Sequence, residues 1–184
     1  MSQVELPYAD TEQMIIEEIK KHQLMILATS DGDQVTARQM RCIPDGLTIY
    51  CSTNRNSRKY KQIQENPKVA LAVGGPQSLQ IEGEVSLLGK PLDERNAEFI
   101  QVYKEVQPEA YQMNLEKGNL DNPVVELFKI VPKRIALYTP RPSAYEPGAY
   151  SVILNPVKKK AYKVPWISVD QKPLDISKAP AYRE

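Results

Sequence analysis

The sequence is poor in the residues that build metal centres and nucleophilic catalytic sites. Its 184 residues include two cysteines, Cys42 and Cys51, and one histidine, His22. A single histidine cannot form the His-rich sites that hold zinc, and no cluster of histidine, cysteine and acidic residues has the spacing of metal ligands. A Ser-His-Asp arrangement would have to use His22, which stands at the end of a predicted helix. The sequence therefore argues against a metal centre and against a hydrolase of this kind.

A strong net charge and long apolar runs are also missing. The net charge is +1, so no overall basic field favours nucleic acid or an anionic membrane as a partner. No apolar run approaches the roughly 18 residues that span a bilayer. The N-terminal segment M-S-Q-V-E-L-P-Y lacks the basic and apolar regions of a secretory signal. We therefore expect a cytoplasmic protein with reduced, buried cysteines, although a disulfide between neighbouring strands is also possible.

What the chain does contain is a series of short apolar stretches separated by tight turns. The pattern predicts a helix from about Asp10 to His22 and further helices that begin at Ser57, Pro91 and Pro108. Six strands are predicted, at residues 24–29, 34–43, 47–53, 68–75, 78–88 and 124–138. Short strands with a few inserted helices favour a mainly β fold of the α+β class, built on a closed or half-closed antiparallel barrel.

The last quarter of the chain differs in composition from the rest. Eight of the fifteen prolines lie between Pro132, where the last predicted strand is bent or broken, and the C-terminus. We therefore expect a domain at residues 1–139 and an extended arm at residues 140–184 that packs on the barrel or on a partner subunit. The arm contains two stretches that are possible strands, V-I-L-N-P and A-Y-K-V-P-W. Its aromatic residues, Trp166 among them, argue against the alternative of a disordered tail.

A basic cluster follows the third predicted strand, in the segment Y-C-S-T-N-R-N-S-R-K. Ser57 can begin a helix, whose unpaired N–H groups and positive dipole end attract anions. Arg58 and Lys59 then stand in the first helical turn, where cations are electrostatically unfavourable. Either both side chains point into solvent, or they offset a bound anion.

A third cation favours the anion. Arg38 lies on the second predicted strand, which we expect to be the hairpin partner of the third. Alternation places Arg38 with Met40 and Cys42 on one face, and the more aliphatic residues on the other. We therefore expect Arg38 to face a cleft or solvent, where it can converge with the basic cluster. A guanidinium, a hydroxyl and backbone donors together suit a phosphate group.

Four segments, in order, resemble the pyridoxamine 5′-phosphate oxidase-like superfamily of FMN-binding split β-barrels. They are R-Q-M-R-C-I, T-N-R-N-S-R-K, N-P-K-V-A-L and I-E-G-E-V, and the resemblance covers about residues 10–138. It implies a six-stranded antiparallel split barrel with an N-terminal helix, and a homodimer that binds each FMN between its subunits.

The resemblance also implies roles for individual residues. The positions that match the family's phosphate-binding residues are Arg38, Ser57, Arg58 and Lys59. The positions expected to line the ribityl chain or the flavin ring are Gln39, Met40, Ser52 and Thr53. Gln80 is added to the cofactor-binding positions, at a place where the oxidases carry an arginine.

The sequence departs from the true oxidases at several positions. Ile43 stands where their strand-two motif ends in lysine, and Ser78 replaces a glutamine that contacts the flavin. The region that grips pyridoxal phosphate in the oxidases has no counterpart in the Pro-rich tail. The chain is therefore more similar to the general stress proteins, the nitroimidazole-reductase-like proteins and the flavin reductases of the superfamily.

The function implied by the resemblance is electron transfer from a nicotinamide donor, NAD(P)H, to a small organic acceptor, with FMN as the cofactor. No catalytic side chain is identified. The alternatives are a non-enzymatic flavin or haem binder and a deazaflavin-dependent reductase. A haem would need an axial ligand, for which His22, Cys42, Cys51, a methionine or a tyrosine is available.

Overall fold

The computed structural model describes residues 3–74, 78–139 and 150–165. These residues form ten strands and four α-helices. In chain order they are β1 (Val4–Leu6), α1 (Tyr8–Lys20), β2 (Leu24–Asp31), β3 (Gln34–Arg41), β4 (Ile43–Asp45), β5 (Thr48–Asn54), α2 (Arg58–Glu65), β6 (Lys68–Val73), β7 (Ser78–Gly89), α3 (Ala97–Val106), α4 (Pro108–Glu116), β8 (Val125–Thr139), β9 (Tyr150–Asn155) and β10 (Lys160–Pro165). No described helix is long and apolar enough to cross a membrane.

The strands form one antiparallel sheet that does not close on itself. Its order is β1-β10-β9-β8-β7-β6-β2-β3, and β5 pairs with β8 on one side and with β4 on the other. This confirms the α+β fold and the split barrel. The described residues contain ten strands where six were predicted, because β1, β9 and β10 are added and the second predicted strand is divided into β3 and β4.

The division of that strand at Cys42 changes its pairing. The backbone N–H of Cys42 donates to the carbonyl oxygen of Gln23 at 2.8 Å, and β3 pairs along its length with β2, with Arg38 opposite Leu27. Of the two pieces, β4 is the one that pairs with β5, with Ile43 opposite Tyr50. The expectation that Arg38 lies on the hairpin partner of the third predicted strand is therefore wrong.

The two faces of β3 are also the reverse of the prediction. Arg38 and Met40 are half-buried on the inner face, whereas Val35 is 68% exposed on the outer face. The partner strand explains this, because Leu27 and Met25 are buried opposite Arg38 and Met40. Side chains opposite each other on an antiparallel pair lie on the same face of the sheet. Because Leu27 of β2 faces the barrel interior, Arg38 opposite it also faces the interior. Nothing within the described chain covers the aliphatic residues on the outer face.

Strand β8 continues through Pro132 with a bulge. Glu82 pairs with Arg134 and Gly83 pairs with Pro132, so Lys133 is an extra residue on β8. A Cβ atom at Gly83 would lie 2.8 Å from the carbonyl oxygen of Val131, so the close approach of the two strands requires glycine there. The predicted irregularity at Pro132 is thus a local register shift within one strand.

The main hydrophobic core fills the barrel and includes part of the predicted arm. Val152, Leu154 and Ala161 belong to it, because β9 pairs with β8 and β10 pairs with β9 and β1. Residues 150–165 therefore extend the sheet of the barrel. The rest of the predicted arm, with Trp166, lies outside the described residues.

A second, smaller core lies where α3 and α4 cover β4 and β5. Its buried members are Ile43, Tyr50, Phe99, Tyr103, Leu120 and Leu127.

Near the N-terminus, α1 begins at Tyr8, earlier than predicted, and its N-cap residue Pro7 offers no capping side chain.

Candidate functional site

The loop between β5 and α2 folds through local hydrogen bonds. The side-chain oxygen of Asn54 accepts from the backbone N–H of Asn56 at 2.7 Å, and the N–H of Ser57 donates to the carbonyl oxygen of Asn54 at 2.9 Å. Ser57 then caps α2, since its Oγ accepts from the N–H of Tyr60 at 3.4 Å. The first turn of α2, with its unpaired N–H groups, is therefore placed directly at the end of β5.

An ion pair ties this loop to the barrel. Arg55 Nε donates to Glu126 Oε2 at 2.8 Å, and the carboxylate of Glu126 is buried in β8. The other carboxylate oxygen of Glu126 accepts from the N–H of Gly89 at 2.6 Å. Arg55 is thus a structural arginine that has an acidic partner.

Three other cations converge beside the loop and form a cluster of Arg38, Arg58 and Lys59. Burial and then the charge of Arg58 lower the pKa of Arg38, and burial and then the charge of Arg38 lower the pKa of Lys59. None of the three forms an ion pair within the described parts of the chain. The cluster therefore holds positive charge that no acidic side chain of these residues offsets.

Two hydroxyl groups complete the cluster. Lys59 Nζ donates to Thr53 Oγ1 at 3.1 Å, and Thr53 Oγ1 lies 3.1 Å from Ser57 Oγ. Thr53 is buried at the end of β5, so it fixes the half-buried lysine against the strand. Cations, hydroxyls and a helix N-terminus are the donor groups that bind a phosphate.

Arg38 is held from inside the barrel by neutral oxygen atoms. Its Nη1 donates to Thr29 Oγ1 at 2.7 Å and to the carbonyl oxygen of Leu27 at 3.2 Å. Its Nη2 donates to Thr36 Oγ1 and, at 3.4 Å, to Gln62 Oε1. Because these acceptors carry no charge, they orient the guanidinium and leave its positive charge uncompensated.

Sequence reasoning missed the residues that position Arg38, namely Thr29, Thr36 and Gln62. Gln62 is fully buried, and its Nε2 has no hydrogen-bond partner in the described residues. The signal was present in α2, because Lys59, Gln62 and Ile63 follow the spacing of one helical face. A glutamine between two residues that face the barrel indicates a buried polar contact.

The structure brings five of the predicted cofactor-binding residues together and separates the other four. Those brought together are Arg38, Thr53, Ser57, Arg58 and Lys59. Gln39 and Gln80 are exposed on the outer face of the sheet, with one residue of β2 and one of β6 between them. Met40 is half-buried against the main core, and Ser52 is exposed on the side of β5 that faces α3.

A cavity of about 370 Å³ lies on that side of β5, between the strand and the helices α3 and α4. Residues that line it include Arg41, Ser52, Phe99, Tyr103, Asn114 and Leu120. Thr53 also borders it, and among the described residues it is the one that lines the cavity and also bonds with Lys59 of the cation cluster.

The remaining candidates for metal or haem chemistry are enclosed or paired. Cys42 and Cys51 are fully buried free thiols whose sulfur atoms lie 3.4 Å apart. The hydrogen bond with Cys42, followed by burial, raises the pKa of Cys51 well above its usual value. His22 Nε2 lies 3.2 Å from Glu18 Oε1 at the end of α1. No group of three or more metal-binding residues occurs among the described histidine, cysteine and acidic side chains.

Comparisons with known proteins show the family and the fold of the chain. The chain matches the model of the pyridoxamine 5′-phosphate oxidase family over residues 11–138. General stress protein 26 of Bacillus subtilis is 26% identical over 130 residues, which cover 70% of this chain and 88% of that protein.

Solved structures share the fold. A candidate pyridoxamine 5′-phosphate oxidase from Listeria innocua is 28% identical, covers 69% of this chain and 97% of its own, and superposes with a TM-score of 0.55. HutZ of Vibrio cholerae, described as a haem storage protein, has a TM-score of 0.52 at 15% identity over 65% of this chain and 89% of its own, so it shows the fold alone. Since the family match spans well over half of the chain and confirms the resemblance drawn from the four motifs, the protein belongs to the pyridoxamine 5′-phosphate oxidase family.

Proposed function

We propose that this protein is an FMN-binding flavoprotein whose cation cluster holds the phosphate of the cofactor. The observation that carries the proposal is the convergence of Arg38, Arg58 and Lys59 without an acidic partner in the described residues. The FMN phosphate is a dianion, and binding it would relieve the repulsion between these cations. The donor set fits, since the guanidinium of Arg58, the ammonium of Lys59, the capping serine and the N–H groups of the first turn of α2 are all suited to phosphate oxygens, and Arg38 adds its positive charge.

Each residue of the cluster has a distinct part in this proposal. Thr53 holds the ammonium of Lys59 at the strand end, and the buried polar groups around Arg38 hold its guanidinium. Arg58 is exposed, so it can close over a phosphate from the solvent side. When bound, FMN supplies the redox chemistry, and the protein supplies anchoring and a shielded place for the ring.

A homodimer is part of the proposal. Proteins of this fold family commonly form dimers. The outer face of the sheet exposes Leu24, Ile26 and Val35 at 47%, 41% and 68%, which is a large aliphatic surface for two neighbouring strands. Gln39 and Gln80 lie on this same face. A second copy seated there would turn both glutamines toward the subunit interface, where they can contribute to a cofactor held between subunits.

We further propose that the flavoprotein accepts electrons from NAD(P)H and passes them to a small organic acceptor. The oxidation of vitamin B6 is not proposed, because Ile43 is buried in the second core where the true oxidases carry a lysine. A haem role has less support in this chain, because His22 bonds with Glu18 and both cysteines are fully buried. A deazaflavin cofactor also carries phosphate and is an outcome of the test.

The first test is the visible absorption spectrum of the purified protein before and after incubation with FMN and desalting. We expect retained flavin bands. A haem Soret band would support the haem alternative instead. A colourless protein that rejects FMN would overturn the proposal, and titration with a deazaflavin cofactor would then decide whether the same cluster serves that branch of the fold.

The second test compares Arg58, the first residue of α2, with Arg55 in the loop that precedes the helix. Arg58→Gln should weaken FMN binding about tenfold or more, because a hydrogen bond to a charged group contributes roughly 1.5–3 kcal/mol. Arg55→Gln removes the same charge three residues earlier, but Arg55 is paired with Glu126. It should leave FMN affinity within about twofold. Equal losses in both variants, or none in Arg58→Gln, would contradict the phosphate assignment.

Added salt gives a third measurement that needs no variant. Because the proposed contact is between cations and a dianion, FMN affinity should fall as sodium chloride rises. Inorganic phosphate should raise the melting temperature more than chloride at equal ionic strength, since a ligand that binds only the folded state stabilises it. An affinity independent of salt would argue that the phosphate lies elsewhere.

A further inference from the structure

We infer that the cavity between β5 and the helices α3 and α4 is a second ligand site, which takes a small molecule with an apolar, ring-sized body and a carboxylate group. Arg41 is the proposed anchor for the carboxylate. The assignment depends on the cavity and its lining and does not require bound FMN. The role of this ligand as the organic acceptor does rest on the proposed function, because only bound FMN would supply the electrons; Thr53 is the residue that borders the cavity and also bonds with Lys59 of the cation cluster.

The size and walls of the cavity suit an apolar body. Its volume of about 370 Å³ lies within the range of roughly 300–1,000 Å³ that is usual for small-molecule sites. The rings of Phe99 and Tyr103 stand side by side with centroids 5.5 Å apart, and Leu120 and Ile43 complete the buried wall. Met113 borders the same cavity and is 41% exposed, which places a flexible apolar side chain where ligand and solvent meet.

Arg41 is positioned by neutral groups. Its Nη1 donates to Gln107 Oε1 at 3.3 Å and to Gln23 Oε1 at 3.4 Å. Gln107 is buried and is fixed in turn, since its Nε2 donates to the carbonyl oxygen of Cys42 at 2.7 Å. In the described residues Arg41 forms no ion pair, and its Nε and Nη2 have no hydrogen-bond partner. The guanidinium of Arg41 is therefore held in place by two amide groups and keeps N–H donors that can bind a carboxylate.

The hydroxyl group of Tyr103 is a second donor beside Arg41. Asn119 Nδ2 donates to Asn114 Oδ1 at 2.9 Å, and Asn114 Nδ2 donates to the Tyr103 hydroxyl at 2.9 Å. Because the Nδ2 of Asn114 donates to it, the hydroxyl oxygen of Tyr103 is an acceptor in this chain of hydrogen bonds. The phenolic proton of Tyr103 is therefore available to be donated to a ligand. Burial raises the pKa of Tyr103, and the hydrogen bond from Asn114 and the charge of Arg41 oppose that rise, so the phenol stays protonated near the guanidinium.

The charges of the lining favour a monoanion over a phosphate. Among the described residues, Arg41 is the only charged side chain that borders this cavity, whereas three cations meet at the cluster beside α2. One guanidinium and one phenol match the two oxygens of a carboxylate. The two sites are therefore expected to prefer different anions.

The test uses benzoate as the probe and benzamide as its neutral match. Both are titrated into the full-length protein, and binding is followed by calorimetry and by the NMR signals of the side-chain amides of Asn114 and Asn119. We expect benzoate to bind wild-type protein and to shift these amides. Arg41→Gln should weaken benzoate binding about tenfold or more while benzamide affinity stays within about twofold.

Three variants make the result specific. Tyr103→Phe removes only the hydroxyl group and should weaken benzoate binding several-fold, which also covers the case in which Arg41→Gln fails to fold. Arg134→Gln removes a half-buried arginine that is paired with Glu82 on the outer face, and it should leave benzoate binding unchanged. Arg58→Gln should also leave it unchanged.

The outcomes separate this inference from the proposed function. It is overturned if wild-type protein does not bind benzoate, if Arg41→Gln binds it as wild type does, or if the loss occurs in Arg58→Gln instead. FMN is titrated into the same variants, and Arg41→Gln is expected to retain wild-type FMN affinity. A protein that binds FMN and rejects benzoate would overturn the cavity assignment alone. The reverse pattern would overturn the FMN proposal and, with it, the acceptor role of the ligand, while the cavity would remain a carboxylate site.

Discussion

Gln62 and Thr29 meet inside the barrel, where Gln62 Oε1 accepts a hydrogen bond of 2.6 Å from Thr29 Oγ1. The same oxygen accepts from Thr36 at 2.9 Å and from Arg38 at 3.4 Å. One buried amide thus joins the helix α2 to the strands β2 and β3. It also holds Arg38 beside the cations of the first helical turn, so the order of the cluster depends on a residue that is not itself charged.

Replacing this acceptor should loosen both the fold and the cluster. Gln62→Met keeps the length of the side chain but leaves three donors without their acceptor, and we expect a loss of roughly 1–3 kcal/mol in the free energy of unfolding. FMN binding should weaken as well, because Arg38 loses part of its support. Urea denaturation followed by circular dichroism, with an FMN titration, measures both. The exposed Gln64 provides the control, and Gln62→Met behaving like Gln64→Met would refute the role assigned to the network.

Arg55, in the β5–α2 loop, and Arg58, at the start of α2, should differ in their effect on stability. Arg55→Gln leaves the buried carboxylate of Glu126 with the N–H of Gly89 as its remaining partner, which should lower the free energy of unfolding by about 1 kcal/mol, since solvent screens the partly exposed guanidinium. Arg58→Gln should change stability by no more than about 0.5 kcal/mol, because Arg58 lies in a cluster of like charge. Urea titrations of both variants check this. A larger loss in Arg58→Gln would show that Arg58 has a structural partner.

The stability of the fold at acidic pH should depend on the carboxyl group of Glu18. Burial by itself would raise the pKa of this carboxyl, but hydrogen bonds and charges from Lys21 and His22 outweigh it and hold the pKa below its ordinary value of 4.5. A lowered folded-state pKa stabilises the fold fully above the unfolded pKa, and this stabilisation is lost as pH falls through the folded value. Melting temperatures at several pH values should therefore show wild type more stable than Glu18→Gln near neutral pH, with the difference shrinking below about pH 4.5.

A control for that measurement lies next to Glu18 on the same helix. Glu17 is exposed and bonds only with Gln13 across 3.0 Å in the described residues. Glu17→Gln should give a small change at every pH. A difference between wild type and Glu18→Gln that stays constant from neutral to acidic pH would mean that the carboxyl is not held by its two basic neighbours.

The hairpin of β9 and β10 should unfold together with the barrel. Leu154 is fully buried in the main core, so Leu154→Ala should cost about 2–5 kcal/mol. Ile153, the next residue, is only half-buried, and Ile153→Ala should cost clearly less. Denaturant unfolding of the two variants measures the difference. Similar small losses in both would indicate that the hairpin is not part of the cooperative core.

Local chemistry explains what could be predicted of the fold and the site. The loop after β5, the cap at Ser57 and the end of α2 before Asn66-Pro67 depend on residues within a few positions of each other. The strand segments likewise follow from apolar alternation and turn residues. The family motifs lie on these same local elements, which is why their order was enough to indicate the split barrel.

The errors arose where a face or a partner had to be chosen. Alternation in residues 34–43 is the same whichever side faces inward, and counting aliphatic residues selected the wrong side, because Val35 and Ala37 lie on an edge strand that the described chain leaves uncovered. The pairing of β3 with β2, and the break at Cys42, depend on a contact with Gln23 that spacing alone does not reveal.

By itself, then, the sequence determined the class of fold, the family and the basic turn at the start of α2, since caps, turns and motifs are properties of short segments. Only the tertiary structure decided that Arg38 points inward to Gln62, that residues 150–165 complete the sheet, and that Arg41 and Tyr103 meet at one cavity. These relationships join residues that are far apart along the chain. They exist only once strands and helices have packed, because burial and electrostatic neighbours are set by packing.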